Sequence, residues 1–134
     1  MEEQDIDVWV MITREYNEDP IVKTLLPPTW LNARRRTILV FSKTKIGIDP
    51  VAITRYNFGE NIRSIWNKEE QPSQWEALSN YIVRQNPQKI GINISKYYGI
   101  ADGLAKTDYD ALIRSLPSKF QKRIVSAETL AVRW

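Results

Sequence analysis

The fold class is decided by one stretch that is apolar at every position, Val8-Trp9-Val10-Met11-Ile12. Successive side chains of a β-strand point to opposite faces of the sheet, so a strand of this composition must be covered on both sides. Residues 37–41, Thr-Ile-Leu-Val-Phe, have the same character. The two stretches therefore predict central strands of a sheet that is packed between helices.

The segments next to these strands predict one short helix and one hairpin. Asp19 and Pro20 are typical of a helix start, as N-cap and first helical residue, and Pro27 ends the helix. Residues 42–50 are polar and contain glycine and proline, which predicts a hairpin loop. Residues 51–56 alternate between apolar and polar and predict a strand antiparallel to the previous one. Residues 57–71 are predicted to be irregular.

The second half of the chain predicts three helices and two strands. Ser73 and Glu76 form a capping box, so a helix begins here and ends at Pro87. The later elements are a strand through Ile90, Ile92 and Ile94, a helix from about Thr107 to Pro117, a strand at 123–125 and a helix capped by Ser126. Strand–helix–strand order predicts parallel pairs with right-handed crossovers, and the hairpin makes the sheet mixed. We predict a three-layer α/β/α domain.

The composition excludes several kinds of site. The chain has 134 residues, which is a one-domain length, and it contains no cysteine and no histidine. Disulfides, thiolate or imidazole metal sites and Ser-His-Asp triads are therefore impossible. The net charge of +3 is a mild basic excess, so nucleic acid is not the expected partner. The apolar runs are too short to span a bilayer, and the acidic start is unlike a secretory signal, so we expect a cytoplasmic protein.

Four stretches follow one another in a familiar order. They are Arg34-Arg35-Arg36-Thr37-Ile38-Leu39-Val40-Phe41, Ile90-Gly91-Ile92-Asn93-Ile94-Ser95, Ala101-Asp102-Gly103-Leu104 and Ser126-Ala127-Glu128-Thr129-Leu130-Ala131. The ordered set covers nearly the whole chain. It resembles the N-terminal domain of the creatinase, prolidase and Xaa-Pro aminopeptidase superfamily, and is most similar to the bacterial Xaa-Pro aminopeptidase-like members. The resemblance implies a mixed five-stranded sheet of ribonuclease-H-like topology with helices on both faces.

The resemblance also implies a function. Residues 1–134 would be one accessory N-terminal domain, cut before a C-terminal catalytic domain of the "pita-bread" fold. In that family the catalytic domain binds two divalent metals, Mn or Zn, and cleaves the bond before proline in a peptide substrate. We therefore expect no catalytic, metal or cofactor site in this chain. Its partners would be its own catalytic domain and further copies in a dimer or larger homo-oligomer, where it would act in assembly and substrate access.

Six residues are candidate contacts with another subunit or domain. They are Trp30, Arg34, Arg35, Tyr56, Trp66 and Trp134. Arginine and tryptophan are frequent anchors of protein interfaces. Trp66 and Trp134 also fall outside the predicted core faces. The last helix runs to Trp134 without a capping residue, which predicts that it continues into another domain.

Two functions of other classes stay open. Asp5 and Asp7 share one face of the first strand, and with Asp49 or Asp102 they could hold Mg²⁺ for two-metal phosphodiester hydrolysis. Their place at the strand's entrance favours solvated carboxylates instead.

The second alternative is an interaction or nucleic-acid-binding module. Residues 34–36 are all arginine, and with Trp30 and Tyr56 they could bind phosphates and stack bases. Three adjacent residues do not all face one way, which favours a solvated turn or an intersubunit ion pair.

Overall fold

The computed structural model describes residues 5–14, 19–25, 36–54, 61–67, 69–71 and 73–133. The strands are β1 (Val8–Thr13), β2 (Thr37–Thr44), β3 (Gly47–Ile53), β4 (Arg63–Ser64), β5 (Ile90–Ile92) and β6 (Ile124–Ser126). The helices are α1 (Pro20–Leu25), α2 (Gln74–Gln85), α3 (Lys106–Ser115), α4 (Ser118–Gln121) and α5 (Glu128–Arg133). A short 3₁₀ turn covers Gly99–Ala101.

The strands form one mixed sheet in the order β4-β3-β2-β1-β5-β6. β2 is antiparallel to β1 and to β3, whereas β3–β4, β1–β5 and β5–β6 are parallel pairs. The predicted α/β class with a mixed sheet is confirmed. The described sheet has six strands, one more than the five expected, because the short β4 adds to the edge next to β3.

The expected parallel pairing of the first two strands is wrong. β1 and β2 are antiparallel, with Thr13 opposite Thr37, although α1 lies between them. Strand–helix–strand order in a sequence favours a parallel pair but does not fix the direction of the second strand. Between Thr13 and Thr37 the chain returns to the same end of the sheet at which it left β1, so β2 runs back along β1.

The hairpin is tighter than predicted. β2 extends to Thr44 and β3 begins at Gly47, so most of the predicted loop is paired strand. Only Lys45 and Ile46 form the turn. Gly47 has a φ of +141°, which favours glycine, and the Thr44 hydroxyl donates to the Gly47 carbonyl oxygen over 2.8 Å. Ladder hydrogen bonds stabilise this segment in spite of its polar composition.

Apolar side chains cover both faces of the sheet, as the composition of β1 predicts. One core contains Val8, Val10, Ile12, Ile38, Val40, Val51 and Ile53 together with Leu78, Ile82, Leu112 and Phe120 of α2–α4. The opposite core contains Trp9, Met11, Leu39 and Ala52 together with Ile21, Val22, Ala127 and Ala131 from the α1 and α5 side. The central strands are thus packed between two helical layers.

Three predicted helix starts have their caps. Asp19 Oδ1 accepts hydrogen bonds from the backbone N–H groups of Ile21 and Val22, Ser73 Oγ accepts from Glu76, and Ser126 Oγ accepts from Glu128. α3 begins at Lys106, with Ala105 in the N-cap position and no capping side chain. Pro117 ends α3 as predicted, but it also starts the short α4, which the sequence pattern did not indicate.

Candidate functional site

Most of the predicted contact residues lie outside the described parts of the chain. These are Trp30, Arg34, Arg35, Tyr56 and Trp134. Trp66 is described: it is half-buried and packs against the core on the α2 side. Its indole Nε1 donates to the carbonyl oxygen of Gln71 over 2.6 Å. Trp66 therefore packs its own segment against the core. Its role as a contact with another subunit or domain stays a prediction.

Asp5 and Asp7 lie at the amino end of β1, as predicted, and both are paired there. Asp7 Oδ2 accepts the backbone N–H groups of Gln88 and Lys89 over 2.9 and 3.1 Å, and Oδ1 lies 3.3 Å from Lys43 Nζ. Asp5 Oδ2 lies 3.4 Å from Lys89 Nζ. Burial raises the pKa of Asp7, but these hydrogen bonds and the Lys43 charge outweigh it and lower the pKa below 3.8. Asp7 thus ties β1 to the α2–β5 loop.

The other two carboxylates of the proposed magnesium site also have partners. Asp49 Oδ1 lies 2.9 Å from Arg63 Nη1 and links β3 to β4. Asp102 Oδ1 accepts the backbone N–H of Ser95 over 3.1 Å. Within the described ranges, no group of three acidic side chains is placed to hold a metal ion together. The nuclease hypothesis gains no support from these four carboxylates.

A cluster of charged and aromatic side chains lies where β1 ends and β2 begins. We call it the arginine cluster; it comprises Arg14, Arg36, Gln74, Trp75 and Asp108. Arg14 directly follows β1 and Arg36 directly precedes β2, so the antiparallel pairing brings them to the same end of the sheet. Asp108, whose side chain is 2% exposed, comes from the first turn of α3. Arg14 Nε lies 3.2 Å from Asp108 Oδ2, and Arg36 Nη1 lies 3.8 Å from Oδ1.

The first turn of α2 fixes the orientation of Arg36. Arg36 Nε donates to Gln74 Oε1 over 2.9 Å, and the guanidinium lies 4.9 Å from the centroid of the Trp75 ring. Gln74 is buried, and its Nε2 donates to the carbonyl oxygens of Arg36 and Ile53. The amide, the aromatic ring and the strand backbone therefore hold this guanidinium in one position.

Among the described residues of the arginine cluster, two guanidinium groups face one carboxylate. Within the described residues, neither Arg14 Nε nor Asp108 Oδ1 has a hydrogen bond, although the ion-pair distances are short. The contact of Arg14 with Asp108 is therefore an ion pair without a well-directed hydrogen bond. α2 and α3 both begin at this end, and their N-termini add positive partial charge. The described residues of the arginine cluster thus carry an excess of positive charge.

A second polar network fills the crevice between the carboxyl ends of β1 and β5. Asp19 is fully buried, and its Oδ2 accepts from Asn93 Nδ2 over 2.9 Å. Asn93 Oδ1 in turn accepts from the indole Nε1 of Trp9 over 2.7 Å. A Cβ on Gly103 would lie 2.1 Å from Asp19 Oδ2, so only glycine lets this loop approach so closely. The strand order reverses at this crevice, where α/β proteins commonly bind ligands, but here the chain's own residues fill it.

Buried Asp19 has a shifted pKa. Burial raises its pKa above 3.8, and the hydrogen bonds from Asn93 and from the Ile21 and Val22 backbone only partly offset that rise. Asp19 was predicted only as a helix cap. Its contact with Asn93, 74 residues further along the chain, joins α1 to β5.

The chain matches no family model, no curated protein and no solved structure. In the part of the chain that the structure describes, no helix is long and apolar enough to cross a membrane.

A shallow groove of about 360 Å³ lies beyond the carboxyl ends of β5 and β6. Its lining residues are Ile94, Ser95, Lys96, Tyr97, Asp102, Ser126 and Glu128. Ser95 Oγ donates to Glu128 Oε2 over 3.0 Å and accepts the backbone N–H groups of Tyr97 and Tyr98. The Tyr97 side chain is 80% exposed. These polar groups stabilise the loop, which leaves an aromatic side chain at the surface.

Arg36 is among the candidate residues identified from the sequence, whereas Arg14 and Asp108 are not. The sequence singles out Arg36 only as part of the run at 34–36, a candidate phosphate-binding patch. The sequence does carry a positional indication, because Arg14 closely follows the first apolar stretch and Arg36 directly precedes the second strand. Using that signal requires β1 and β2 to be antiparallel, which the sequence pattern did not predict.

Proposed function

We propose that this chain is a non-catalytic N-terminal domain of a metal-dependent Xaa-Pro aminopeptidase-like protein, acting in oligomer assembly and substrate access. The observation that carries the proposal is the strand order. Five strands, in the order β3-β2-β1-β5-β6, form a mixed sheet in which β2 alone runs against the others. This arrangement, with helices on both faces, supports the ribonuclease-H-like topology that the sequence resemblance implies.

The surface of the chain supports an interaction role. Several large apolar side chains are exposed: Ile46 at the hairpin tip is 100% exposed, and Tyr97, Tyr98 and Ile100 lie in a row along the chain with about half or more of their surface exposed. Exposed apolar groups that lie close together, as at residues 97–100, are typical of surfaces that contact another domain or subunit. The carboxylates considered for catalysis are instead paired within the fold.

The proposal assigns the chemistry to the rest of the full protein. Two divalent metals, Mn or Zn, and the peptide substrate would bind in a C-terminal catalytic domain. The domain described here would contact that catalytic domain and further copies of the protein in a cytoplasmic homo-oligomer.

The test is to read the gene onward from the codon for Trp134 and to express the full reading frame beside residues 1–134. We expect the frame to continue through a domain with spaced Asp, Asp, His, Glu and Glu residues. The full protein should cleave Xaa-Pro peptides with Mn²⁺, and the 134-residue chain should not. Cleavage by the short chain alone, or a frame that stops at Trp134, would contradict the proposal.

The assembly role needs a separate measurement. The mass of the full protein and of a version lacking residues 1–134 is compared by light scattering. We expect a smaller oligomer for the shortened protein, since the domain is proposed to contribute subunit contacts. An unchanged oligomer with unchanged peptide kinetics would exclude a role in assembly and in substrate access.

A further inference from the structure

We propose that the arginine cluster binds a small oxyanion, a carboxylate or phosphate group, through Arg14 and Arg36. The proposal concerns residues of this chain alone. It does not depend on the peptidase assignment.

Several donors of the two guanidinium groups are not used within the described part of the chain. There, Arg14 forms an ion pair with Asp108 through Nε. Arg36 donates a hydrogen bond from Nε to Gln74, and its Nη1 forms an ion pair with Asp108. Both terminal nitrogens of Arg14 and Nη2 of Arg36 therefore keep donors for another acceptor. The side chains are 41% and 37% exposed, so these donors are within reach of a ligand from solvent.

The charge of the arginine cluster also favours an anion as its ligand. Asp108 offers one oxygen to each guanidinium, and one carboxylate neutralises only one of the two positive charges. The N-termini of α2 and α3 add to the excess at the same edge. An anion is the ligand class that this excess attracts. A planar guanidinium fork also matches two oxygens of a carboxylate or phosphate, so the geometry favours oxyanions over halides.

The Arg36 side chain is also preorganised for a ligand. Arg36 is held by Gln74 Oε1 and by the Trp75 ring, and Gln74 is itself bound to the backbone of two strands. Asp108 is buried, and its carboxylate lies within ion-pair distance of both guanidinium groups. A ligand would therefore not have to order the Arg36 side chain itself, and this removes part of the entropic cost of binding.

The experiment titrates the ¹⁵N-labelled chain with sodium phosphate and, separately, with sodium acetate, at constant ionic strength set with sodium chloride. The signals followed are the Nε–H resonances of Arg14 and Arg36 and the indole N–H of Trp75. We expect saturable shifts at these signals. Saturation by acetate alone identifies a carboxylate ligand, by phosphate alone a phosphate ligand, and by both a site for either oxyanion.

Three variants decide whether the arginine cluster is responsible. Arg14→Gln and Arg36→Gln should each weaken binding by about tenfold or more, because each removes a charged donor. Arg63→Gln is the matched control, since Arg63 also pairs with an aspartate but lies at the β4 edge. The affinity of the Arg63→Gln variant for the anion should equal that of the wild type. If Arg36→Gln does not fold, Arg14→Gln still tests the site, because Arg14 contacts only Asp108 within the described residues.

The proposal is overturned if neither anion gives saturable shifts. It is equally overturned if a folded Arg14→Gln variant binds like the wild type, or if Arg63→Gln weakens binding as much as the cluster variants do. Any of these three results would mean that the arginine cluster is not a specific oxyanion site.

Discussion

Asp19 and Asp7 are two aspartates whose folded environments shift their pKa values in opposite directions. Burial raises the pKa of Asp19, whereas backbone hydrogen bonds and Lys43 outweigh burial and lower the pKa of Asp7. The Asp19 contribution to stability is complete below pH 3.8 and is lost as the pH rises through the folded pKa. The Asp7 contribution is present above pH 3.8 and is lost as the pH falls through its folded pKa.

These signs give a paired prediction for Asp19→Asn and Asp7→Asn. The free energy of unfolding is measured in urea for the wild type and both variants, from about pH 3 to 7. The wild-type value minus the Asp19→Asn value should fall as the pH rises. The wild-type value minus the Asp7→Asn value should rise over the same range. Two differences with the same slope would contradict the structure around one of the aspartates.

Asp19 also shows what the sequence can and cannot predict about a single residue. Its capping role follows from local chemistry, since aspartate before proline is typical of a helix start. Its burial against Asn93 and Gly103 depends on how α1, β5 and a distant loop pack together. Arg14 and Asp108 have the same limitation, because they meet only once α3 docks on the sheet.

At the scale of elements, the cap of α2 gives a second prediction. Ser73 Oγ accepts the backbone N–H of Glu76, which would otherwise lack an acceptor at the helix start. Ser73→Ala should lower the free energy of unfolding by about 1 kcal/mol. Ser79→Ala is the matched control, because it makes the same substitution within α2 and should be neutral or slightly stabilising. Equal losses in chemical denaturation would show that the cap contributes nothing.

Elements were predictable where the signal is local. The ends of α2, the apolar β1 and β2, and the cap of α5 follow from periodicity and capping residues. β4 was missed because two residues carry no periodic pattern, and its pairing with β3 is purely tertiary. The hairpin turn was predicted too long, because polar composition indicated a loop where cross-strand hydrogen bonds form a ladder.

At the scale of the molecule, two cores share the same central strands. Leu78 of α2 and Ile21 of α1 are both fully buried, one in each core. Leu78→Ala and Ile21→Ala should each lower the free energy of unfolding by roughly 2–5 kcal/mol. Because β1 contributes side chains to both cores, each variant should still unfold in one cooperative transition.

The measurement follows far-UV circular dichroism and tryptophan fluorescence during urea unfolding. Trp9 lies in the core on the α1 and α5 side of the sheet, and Trp75 packs against the core on the α2 side. Tryptophan emission therefore reports on both faces of the sheet. Val83→Ala provides the control, since Val83 lies on α2 but is 42% exposed and should change stability by less than about 0.5 kcal/mol. Two separate transitions in either core variant would mean that the layers unfold independently.

The outer strands of the described sheet are very short, and this limits how the protein can associate. β4 contains two residues and β6 contains three, and they form the two edges. Longer unpaired edges act as templates onto which a strand from another chain can add through backbone hydrogen bonds. Strands of two and three residues offer few donors and acceptors in a row for such an added strand. Where β3 continues past β4, over Gly47–Pro50, Pro50 has no N–H to donate. In the described part of the sheet, the edges therefore disfavour growth into fibres, and side-chain contacts are the expected route to an assembly of defined size.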